Sequence, residues 1–269
     1  MAEQAGEAVS ASRFSLAGRR ALVTGGSLSI GRAIALGLAA AGAAVAIQYA
    51  PEADAAFGRP EGAAETLAAL RGYGQAAGIV ADFREPRAAR RTVAEAEAAL
   101  GPLDILVIAA SVQQRADFFA VSEDEIAREV AVNFTATIAL LQAALPGMRA
   151  RGYGRVLAIG SINQTRPEPE LAVYAALKAA QHNLVLALAR SLAPFGVTLN
   201  TLSPGLIATE RNRWRRTDVA AWAEIERAAN PMGRAGVPDE MVGAALLLCS
   251  DAARFITGAD LQATGGGHL

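Results

Sequence analysis

Short apolar runs alternate along the chain with longer segments of helical periodicity. Seven runs rich in Val, Ile, Leu and Ala predict strands: RALVT, AAVAIQY, AAGIVA, DILVIAA, GRVLAIGS, VTLNTLS and DLQATG. Helices are predicted to begin near Ile30, Glu61, Glu85, Ser122, Leu171 and Pro238, with another from Asp218 to Ala229. Strands covered on both faces are apolar almost throughout. The pattern therefore predicts one α/β domain, a doubly wound seven-stranded parallel sheet with helices on both faces.

Two segments follow neither period and are expected to be irregular loops. They are PEADAAFGRPEG at 51–62 and GLIATERNRWRRTD at 205–218. The second follows the sixth strand at its carboxyl end, where open α/β sheets bind ligands. We therefore expect a substrate loop over about 205–232.

Composition excludes several classes of partner. Hydrophobic residues make up 52% and charged residues 19%, and 25 basic against 26 acidic residues leave a net charge of -1. This balance gives no general attraction to nucleic acid or to an anionic membrane. Residues 1–18 lack the pattern of a secretory signal and are expected to form a flexible leader before a domain at 19–269. No apolar run of about 18 residues escapes interruption by Gly or charge, so a cytoplasmic protein is expected.

The residues that most often bind metals are sparse. Cys249 is the only cysteine and lies in the apolar run MVGAALLLCS, which predicts a buried, inert thiol. His182 and His268 are isolated from each other. We therefore predict no metal site.

A glycine-rich turn joins the first strand to the first helix. Gly25, Gly26 and Gly31 in TGGSLSIG allow backbone amides to approach a phosphate at a helix amino terminus. A P-loop needs Lys and a hydroxyl residue where this chain has Arg32 and Ala33. The turn therefore favours dinucleotide binding over nucleotide hydrolysis, with a purely structural turn as the alternative.

Tyr174 and Lys178 lie four residues apart in YAALK. On a helix they would share a face, so the ammonium could lower the pKa of the phenol. The pair alone also fits ordinary surface packing, and it points to chemistry only if other residues build a site around it.

From the glycine-rich turn onward the chain resembles the short-chain dehydrogenase/reductase family, over about residues 17–266. The turn matches that family's Thr-Gly-x-x-x-Gly-x-Gly motif, with Ser29 in place of the middle glycine. Asp82 matches the acid that holds the adenine ring, whereas Ile108-Ala109-Ala110-Ser111 replaces Asn-Asn-Ala-Gly. The resemblance implies a Rossmann fold and a nicotinamide cofactor.

The resemblance also implies the catalytic residues. Ser161, Tyr174 and Lys178 stand in the family's order, and Asn133 precedes them. It implies that Ser161 polarises the substrate oxygen and that Tyr174 exchanges the proton. Lys178 would lower the pKa of Tyr174 and bind the ribose, while Asn133 holds a water. The enoyl reductase branch has its tyrosine seven residues before the lysine, where this chain has Leu171, so carbonyl or alcohol chemistry is favoured.

NADP(H) is expected in preference to NAD(H). Relatives that prefer NAD carry an acid at the end of the second strand, where this chain has Tyr49 and no carboxylate until Glu52. Arg59 in the following loop could reach a 2′-phosphate. The residues that the resemblance places at the cofactor are Gly25, Ser27, Ser29, Ile30, Gly31, Tyr49, Asp82, Phe83, Ala109, Ala110, Tyr174, Lys178, Pro204, Gly205, Ile207 and Thr209.

Amide and guanidinium groups are expected to face the substrate. The resemblance places Gln113, Asn163, Gln164, Arg166 and Trp214 there, which suggests a small polar substrate such as a sugar, polyol or hydroxy acid. The arginines at 211–216 could attract a carboxylate, a phosphate or a carrier protein, or could form a solvated lid.

Two alternatives remain open, a 3-oxoacyl thioester reductase and a catalytically idle dinucleotide-binding regulator. The family is commonly tetrameric, and helices at 131–145 and 175–192 are expected to pair across two-fold axes.

Overall fold

A computed structural model describes residues 13–269. Seven parallel strands form one sheet in the order β3-β2-β1-β4-β5-β6-β7. The strands are β1 Arg20–Thr24, β2 Ala44–Tyr49, β3 Ala76–Val80, β4 Ile105–Ile108, β5 Gly154–Ile159, β6 Val197–Pro204 and β7 Asp260–Ala263. The order reverses direction between β1 and β4, which creates the crevice where such sheets bind ligands. The predicted fold class is confirmed.

The helices that connect these strands cover both faces of the sheet. They are α1 Ser29–Ala40, α2 Pro51–Ala56, α3 Gly62–Arg71, α4 Ala88–Leu100, α5 Glu123–Val130, α6 Ala136–Arg151, α7 Ala172–Leu192, α8 Val219–Ala229 and α9 Val242–Cys249. One core layer packs α4, α6 and α7 against one face of the sheet. The other packs α1 and α9 against the opposite face. Cys249 is fully buried in the second layer, and burial raises the pKa of its thiol to about 12.

Both segments predicted to be irregular contain helical turns. In 51–62, Pro51 stands at the start of α2, where its fixed φ favours a helix and its missing N–H costs nothing. Residues Glu210–Thr217 form a 3-10 segment that begins after Thr209, which caps it. The prediction of wholly irregular loops was therefore wrong, because helices this short bury too little to show a clear period.

The predicted leader is only partly described. Residues 1–12 lie outside the described residues. Leu16 is 1% exposed and belongs to the core layer beneath α1, and its N–H donates to Ala41 O at 2.8 Å. The packed part of the chain therefore includes residues before 19.

Two helical stretches meet the length and composition of a membrane-spanning helix. They are Glu123–Arg151, with a mean hydropathy of 1.4, and Pro169–Phe195, with 1.3. Both contribute side chains to the core layer that covers β4, β5 and β6. Buried helices of a sheet protein pass the same test, so these stretches are weak evidence for a membrane span.

Candidate active site

The glycine-rich turn lies against the loop that follows β4. The Thr24 hydroxyl accepts hydrogen bonds from the N–H groups of Ala109 at 3.0 Å and Ala110 at 3.1 Å. Gly25 has φ +61°, and a Cβ there would lie 2.9 Å from the Ala110 backbone. A side chain would therefore push the two loops apart, which explains the glycine.

The amino terminus of α1 can receive an anion. No side chain caps this helix, and its first turn holds no acidic residue. Gly31 allows the turn to close, because a Cβ at this position would lie 2.1 Å from Gly25 O. Uncapped amides and the helix dipole favour a phosphate group, so the residues present fit a dinucleotide pyrophosphate.

Gln48 fixes this turn and was missed by the sequence reasoning. Its side-chain oxygen accepts from Gly25 N–H at 3.0 Å, and its amide donates to Ala81 O at 2.6 Å. The residue is 3% exposed. A glutamine inside the apolar run AVAIQY was the available signal, because a buried amide requires partners.

Ser29 is held in the left-handed region, with φ +52°. A non-glycine residue is uncommon there, which accounts for the family's glycine. The Ser29 hydroxyl donates to the Glu210 carboxylate, which also lies 3.8 Å from Arg59. Ser29 therefore links the phosphate-binding turn to the predicted substrate loop.

Two carboxyl groups near the expected position of the cofactor's adenosine are already hydrogen-bonded to protein groups. Ser27 donates to Asp54 Oδ1 at 2.8 Å, and burial raises the pKa of Asp54 while this hydrogen bond lowers it less. Asp82, the predicted adenine ligand, accepts from Arg84 Nε at 2.7 Å and from its backbone N–H at 2.8 Å. Arg84 holds the pKa of Asp82 below its usual value. An adenine amino group would have to share this carboxylate.

The remaining predicted cofactor residues line the carboxyl edge of the sheet. Tyr49 ends β2 and packs beside Gly78, and Phe83 is buried in the core. Ile30 is in the first turn of α1, and Pro204 ends β6. Further along, Gly205 N–H donates to Ala263 O, Ile207 pairs with Gly236, and Thr209 N–H donates to Asn212.

Tyr174 and Lys178 are both buried on α7, at 6% and 2% exposure. Lys178 Nζ lies 5.7 Å from the centre of the Tyr174 ring and donates to Ile159 O at 2.7 Å. Burial raises the pKa of Tyr174, whereas the charge of Arg211 and hydrogen bonds to Ser161 and Arg211 lower it. Burial, together with the charge of Arg211, lowers the pKa of Lys178 to about 7. In this cofactor-free protein Arg211, rather than Lys178, is the cation that most favours the phenolate.

A chain of hydrogen bonds runs from Lys178 to the predicted Asn133. Lys178 Nζ donates to Gln181 Oε1 at 3.1 Å, and Gln181 donates to the Thr137 hydroxyl at 2.9 Å. That hydroxyl donates in turn to Asn133 O at 3.0 Å. Asn133 lies in a wide π turn at Ala131–Thr135, a feature common at functional sites.

The Asn133 side chain is bonded to the loop after β4. Its oxygen accepts from Val112 N–H at 3.0 Å, and its amide donates to Val112 O at 2.8 Å. The Asn133 side chain therefore positions the loop after β4. Its backbone carbonyl accepts the last hydrogen bond of the chain that begins at Lys178. Its role in holding a water stays a prediction.

Among the predicted substrate residues, Gln113 lies with the catalytic candidates. Its side-chain oxygen accepts from Arg211 at 3.1 Å. Asn163 instead accepts from Glu168 N–H, and Gln164 donates to Asp260 at 2.6 Å. These two amides hold loop and strand together, which gives no support to a substrate contact.

Arg166 and Trp214 are directed elsewhere. Arg166 donates to Leu269 O at 3.0 Å and to Gly267 O, so it binds the end of the chain. Trp214 is 67% exposed. Arg211 was not among the predicted site residues, because nothing in RNRWRR distinguishes it from its three neighbouring arginines.

Comparison with known proteins agrees with this geometry. A family model described as Enoyl-(Acyl carrier protein) reductase matches residues 25–268. The chain belongs to the short-chain dehydrogenase/reductase family. It is 37% identical to an acetoacetyl-CoA reductase of Shinella zoogloeoides, over 92% of this chain and 98% of the relative. It is 34% identical to an L-rhamnose 1-dehydrogenase (NAD(P)(+)) of Sphingomonas sp. strain SKA58, over 94% and 98%.

A solved structure supports the same family. A 3-oxoacyl (acyl-carrier-protein) reductase from Agrobacterium tumefaciens C58, with NADP bound, has a TM-score of 0.89 and 46% identity, covering 95% of this chain and 96% of that one. The protein is an NAD(P)-dependent oxidoreductase of CH–OH and C=O groups. Leu171 lies seven residues before Lys178 and is 3% exposed, so no phenol stands where the enoyl reductase branch has one.

Proposed function

We propose that this protein interconverts a ketone or aldehyde with an alcohol on a small polar substrate, with Tyr174 as the acid and base. The observation that carries the proposal is the buried phenol of Tyr174, with Lys178 Nζ 5.7 Å from the centre of its ring and with Ser161 and Arg211 near enough to lower its pKa. A phenol placed among a hydroxyl and two cations can give up and recover a proton.

Each of these side chains has a distinct task. Ser161 donates a hydrogen bond to the substrate oxygen and is itself held by Asn163 N–H, which donates to its hydroxyl at 3.1 Å. Tyr174 protonates that oxygen during reduction and removes its proton during oxidation. A bound nicotinamide cofactor takes or supplies the hydride. Lys178 is held in position beside Tyr174 by its bonds to Ile159 O and to Gln181, which is fixed in turn by Thr137.

NADP(H) is proposed as the preferred cofactor. The uncapped turn at Gly25 and Gly31 holds the pyrophosphate, and Tyr49 leaves the end of β2 without a carboxylate. Asp54 is the nearby acid to consider, and its carboxyl group is already hydrogen-bonded to the Ser27 hydroxyl at 2.8 Å. NADPH should therefore bind more tightly than NADH in a fluorescence titration, and equal affinities would contradict this choice.

The experiment compares the wild type with Tyr174→Phe by absorbance at 340 nm. The substrate panel contains sugars, polyols, hydroxy acids, simple ketones and 3-oxoacyl thioesters, with NADP(H) and NAD(H). We expect turnover of a small polar compound and a loss of about 100-fold or more in kcat in the variant, with unchanged cofactor binding. A variant as active as the wild type would refute the role of Tyr174.

A 3-oxoacyl thioester reductase is the second candidate, favoured by the relatives with that activity. Turnover of thioesters alone would select it. Cofactor binding without any turnover would instead select the idle regulator.

A homotetramer in the cytoplasm is also proposed. On α7, which is expected to pair across a two-fold axis, Leu186 is 38% exposed. Light scattering should give four times the chain mass of 27.7 kDa, and a monomer would contradict the assembly.

A further inference from the structure

Arg211 reaches from the 3-10 segment to the loop that follows β4, near the Tyr174 hydroxyl. Its guanidinium donates to Ser111 O at 2.8 Å, to the Ser111 hydroxyl at 3.0 Å and to Gln113 at 3.1 Å. It is also near enough to Tyr174 to act on that hydroxyl by charge and by a hydrogen bond. The loop after β4, anchored through Asn133, therefore holds this cation over the catalytic candidates.

Each hydrogen-bond partner of Arg211 is neutral. No carboxylate of residues 13–269 lies within 4.0 Å of its guanidinium, although its side chain is partly buried. Glu129 interacts with the charge of Arg211 from beyond that distance, and its carboxyl group accepts a hydrogen bond from the Gln114 N–H. A half-buried cation without a counter-ion is costly, and an anionic ligand would supply the missing charge.

We propose that Arg211 binds the carboxylate of the substrate, so that the protein acts on short hydroxy acids and oxo acids. This inference rests on the proposed function of Tyr174. The bonds of Arg211 to Ser111 and Gln113 hold the guanidinium in the loop beside the catalytic candidates, so we infer that the reacting oxygen comes within roughly 6 Å of it, about two hydrogen-bond lengths. The carboxylate is then one to three carbon atoms from the reacting carbon. Gln113 accepts a hydrogen bond from this guanidinium, whose planar fork can bind a carboxylate through two parallel hydrogen bonds.

The neighbouring arginines have contacts that differ from those of Arg211, which argues against a general cationic lid. Arg216 donates to Thr209 O at 2.9 Å and so stabilises the 3-10 segment to which it belongs. Arg213 is exposed. Among these arginines Arg211 is the one with contacts to Ser111 and Gln113. In a 3-oxoacyl thioester the charged groups lie many bonds from the carbonyl, so an anion site beside Tyr174 does not serve them.

The test pairs acids with neutral counterparts. α-Hydroxy and β-hydroxy acids and their amides are assayed with NADP+. The proteins are the wild type, Arg211→Gln, Arg211→Lys and Arg213→Gln. We expect Arg211→Gln to lower kcat on acids and amides alike, because the same charge favours the Tyr174 phenolate, and to lose about a further 100-fold in kcat/KM on the acids alone, mainly through KM. Arg211→Lys should recover part of this loss, because it keeps the charge without the planar fork. Arg213→Gln is the matched control and should behave as the wild type.

A binding measurement separates this inference from the proposed function. Oxamate is an unreactive oxo acid analogue, and oxamide is its neutral counterpart. Calorimetry on the cofactor-saturated protein should show oxamate binding to wild type and Arg213→Gln but not to Arg211→Gln, and no binding of oxamide.

Three results would overturn the proposal while leaving the oxidoreductase intact. Equal losses on acids and amides would assign Arg211 to the carbonyl itself. Wild-type enzyme that treats acids and amides alike would remove the need for an anion site. Oxamate binding that survives Arg211→Gln would place the carboxylate elsewhere.

Discussion

Lys178 is the only lysine of the chain, whose other 24 basic residues are arginines. An arginine stays charged when buried, whereas a lysine can lose its proton. We predict that Lys178 titrates near pH 7 in the cofactor-free protein. Replacing it by Met should then change the pH dependence of the free energy of unfolding.

The sign follows from proton binding. The unfolded chain keeps the proton of this lysine up to about pH 10.5, whereas the folded protein releases it at about pH 7. Between these values the unfolded state binds more protons, so the folded wild type gains stability as the pH rises. One pKa unit corresponds to about 1.4 kcal/mol, so the whole effect is about 5 kcal/mol. Between pH 7.5 and 9.5 the wild type should gain about 2.5 kcal/mol relative to Lys178→Met.

Two assays check this value. Lysine labelled with 15N or 13C gives a single side-chain signal in this protein, and its shift should titrate near pH 7. Urea unfolding of wild type and variant, at one protein concentration, should give a difference that changes steadily with pH. Thr137→Val is the control, since it alters the same hydrogen-bond chain without a titrating group and should shift the free energy equally at every pH.

The reasoning is refuted if the lysine signal titrates near 10.5 and the difference between wild type and Lys178→Met stays constant. Loss of the bonds to Ile159 O and Gln181 adds a constant cost of about 1–3 kcal/mol per unsatisfied group. A cost that is the same at every pH cannot produce a pH-dependent difference in the free energy of unfolding.

Two further predictions concern the glycine-rich turn. Ser29→Gly should be more stable than Ser29→Ala by about 1 kcal/mol, because both lose the contact with Glu210 and only glycine relieves φ +52°. Thermal unfolding checks this, and a more stable Ala variant would contradict it. Gly31→Ala should cost about 2–3 kcal/mol and weaken NADPH binding in a fluorescence titration, since its methyl group would meet Gly25 O. Gly243→Ala in α9, where a Cβ meets nothing within 4 Å, should instead be neutral or stabilise by up to about 1 kcal/mol, and equal losses at the two sites would contradict the steric argument.

The sheet could be predicted because burial on both faces leaves a clear apolar pattern. Helix starts fall within three residues of their predicted positions where the helix itself has a long apolar face. The run DILVIAA was predicted one residue too long at its start and two residues too long at its end. Ala109 and Ala110 leave the ladder because their amides bond the Thr24 hydroxyl, a contact that depends on a strand 85 residues away.

The proximity of Tyr174 and Lys178 was predictable from the sequence, whereas the polar partners around them were not. Spacing on one helix brings Tyr174 and Lys178 together, so the sequence was sufficient there. Arg84 bonds Asp82, and Glu210 bonds Ser29 across 181 residues. The first pairing depends on the side-chain geometry of one turn and the second on how an irregular segment crosses the sheet edge, and no period in the sequence encodes either.

The 3-10 segment after Thr209 has a consequence for ligand binding. Two consecutive residues reach opposite ends of the crevice, with Glu210 at the dinucleotide turn and Arg211 above the phenol. Because Glu210 and Arg211 share one peptide unit, a displacement of either residue displaces the other. Whatever displaces Glu210 therefore changes the affinity for the second ligand, and by thermodynamic reciprocity the second ligand changes that of the first. Binding titrations should accordingly show that each ligand changes the affinity for the other by the same factor.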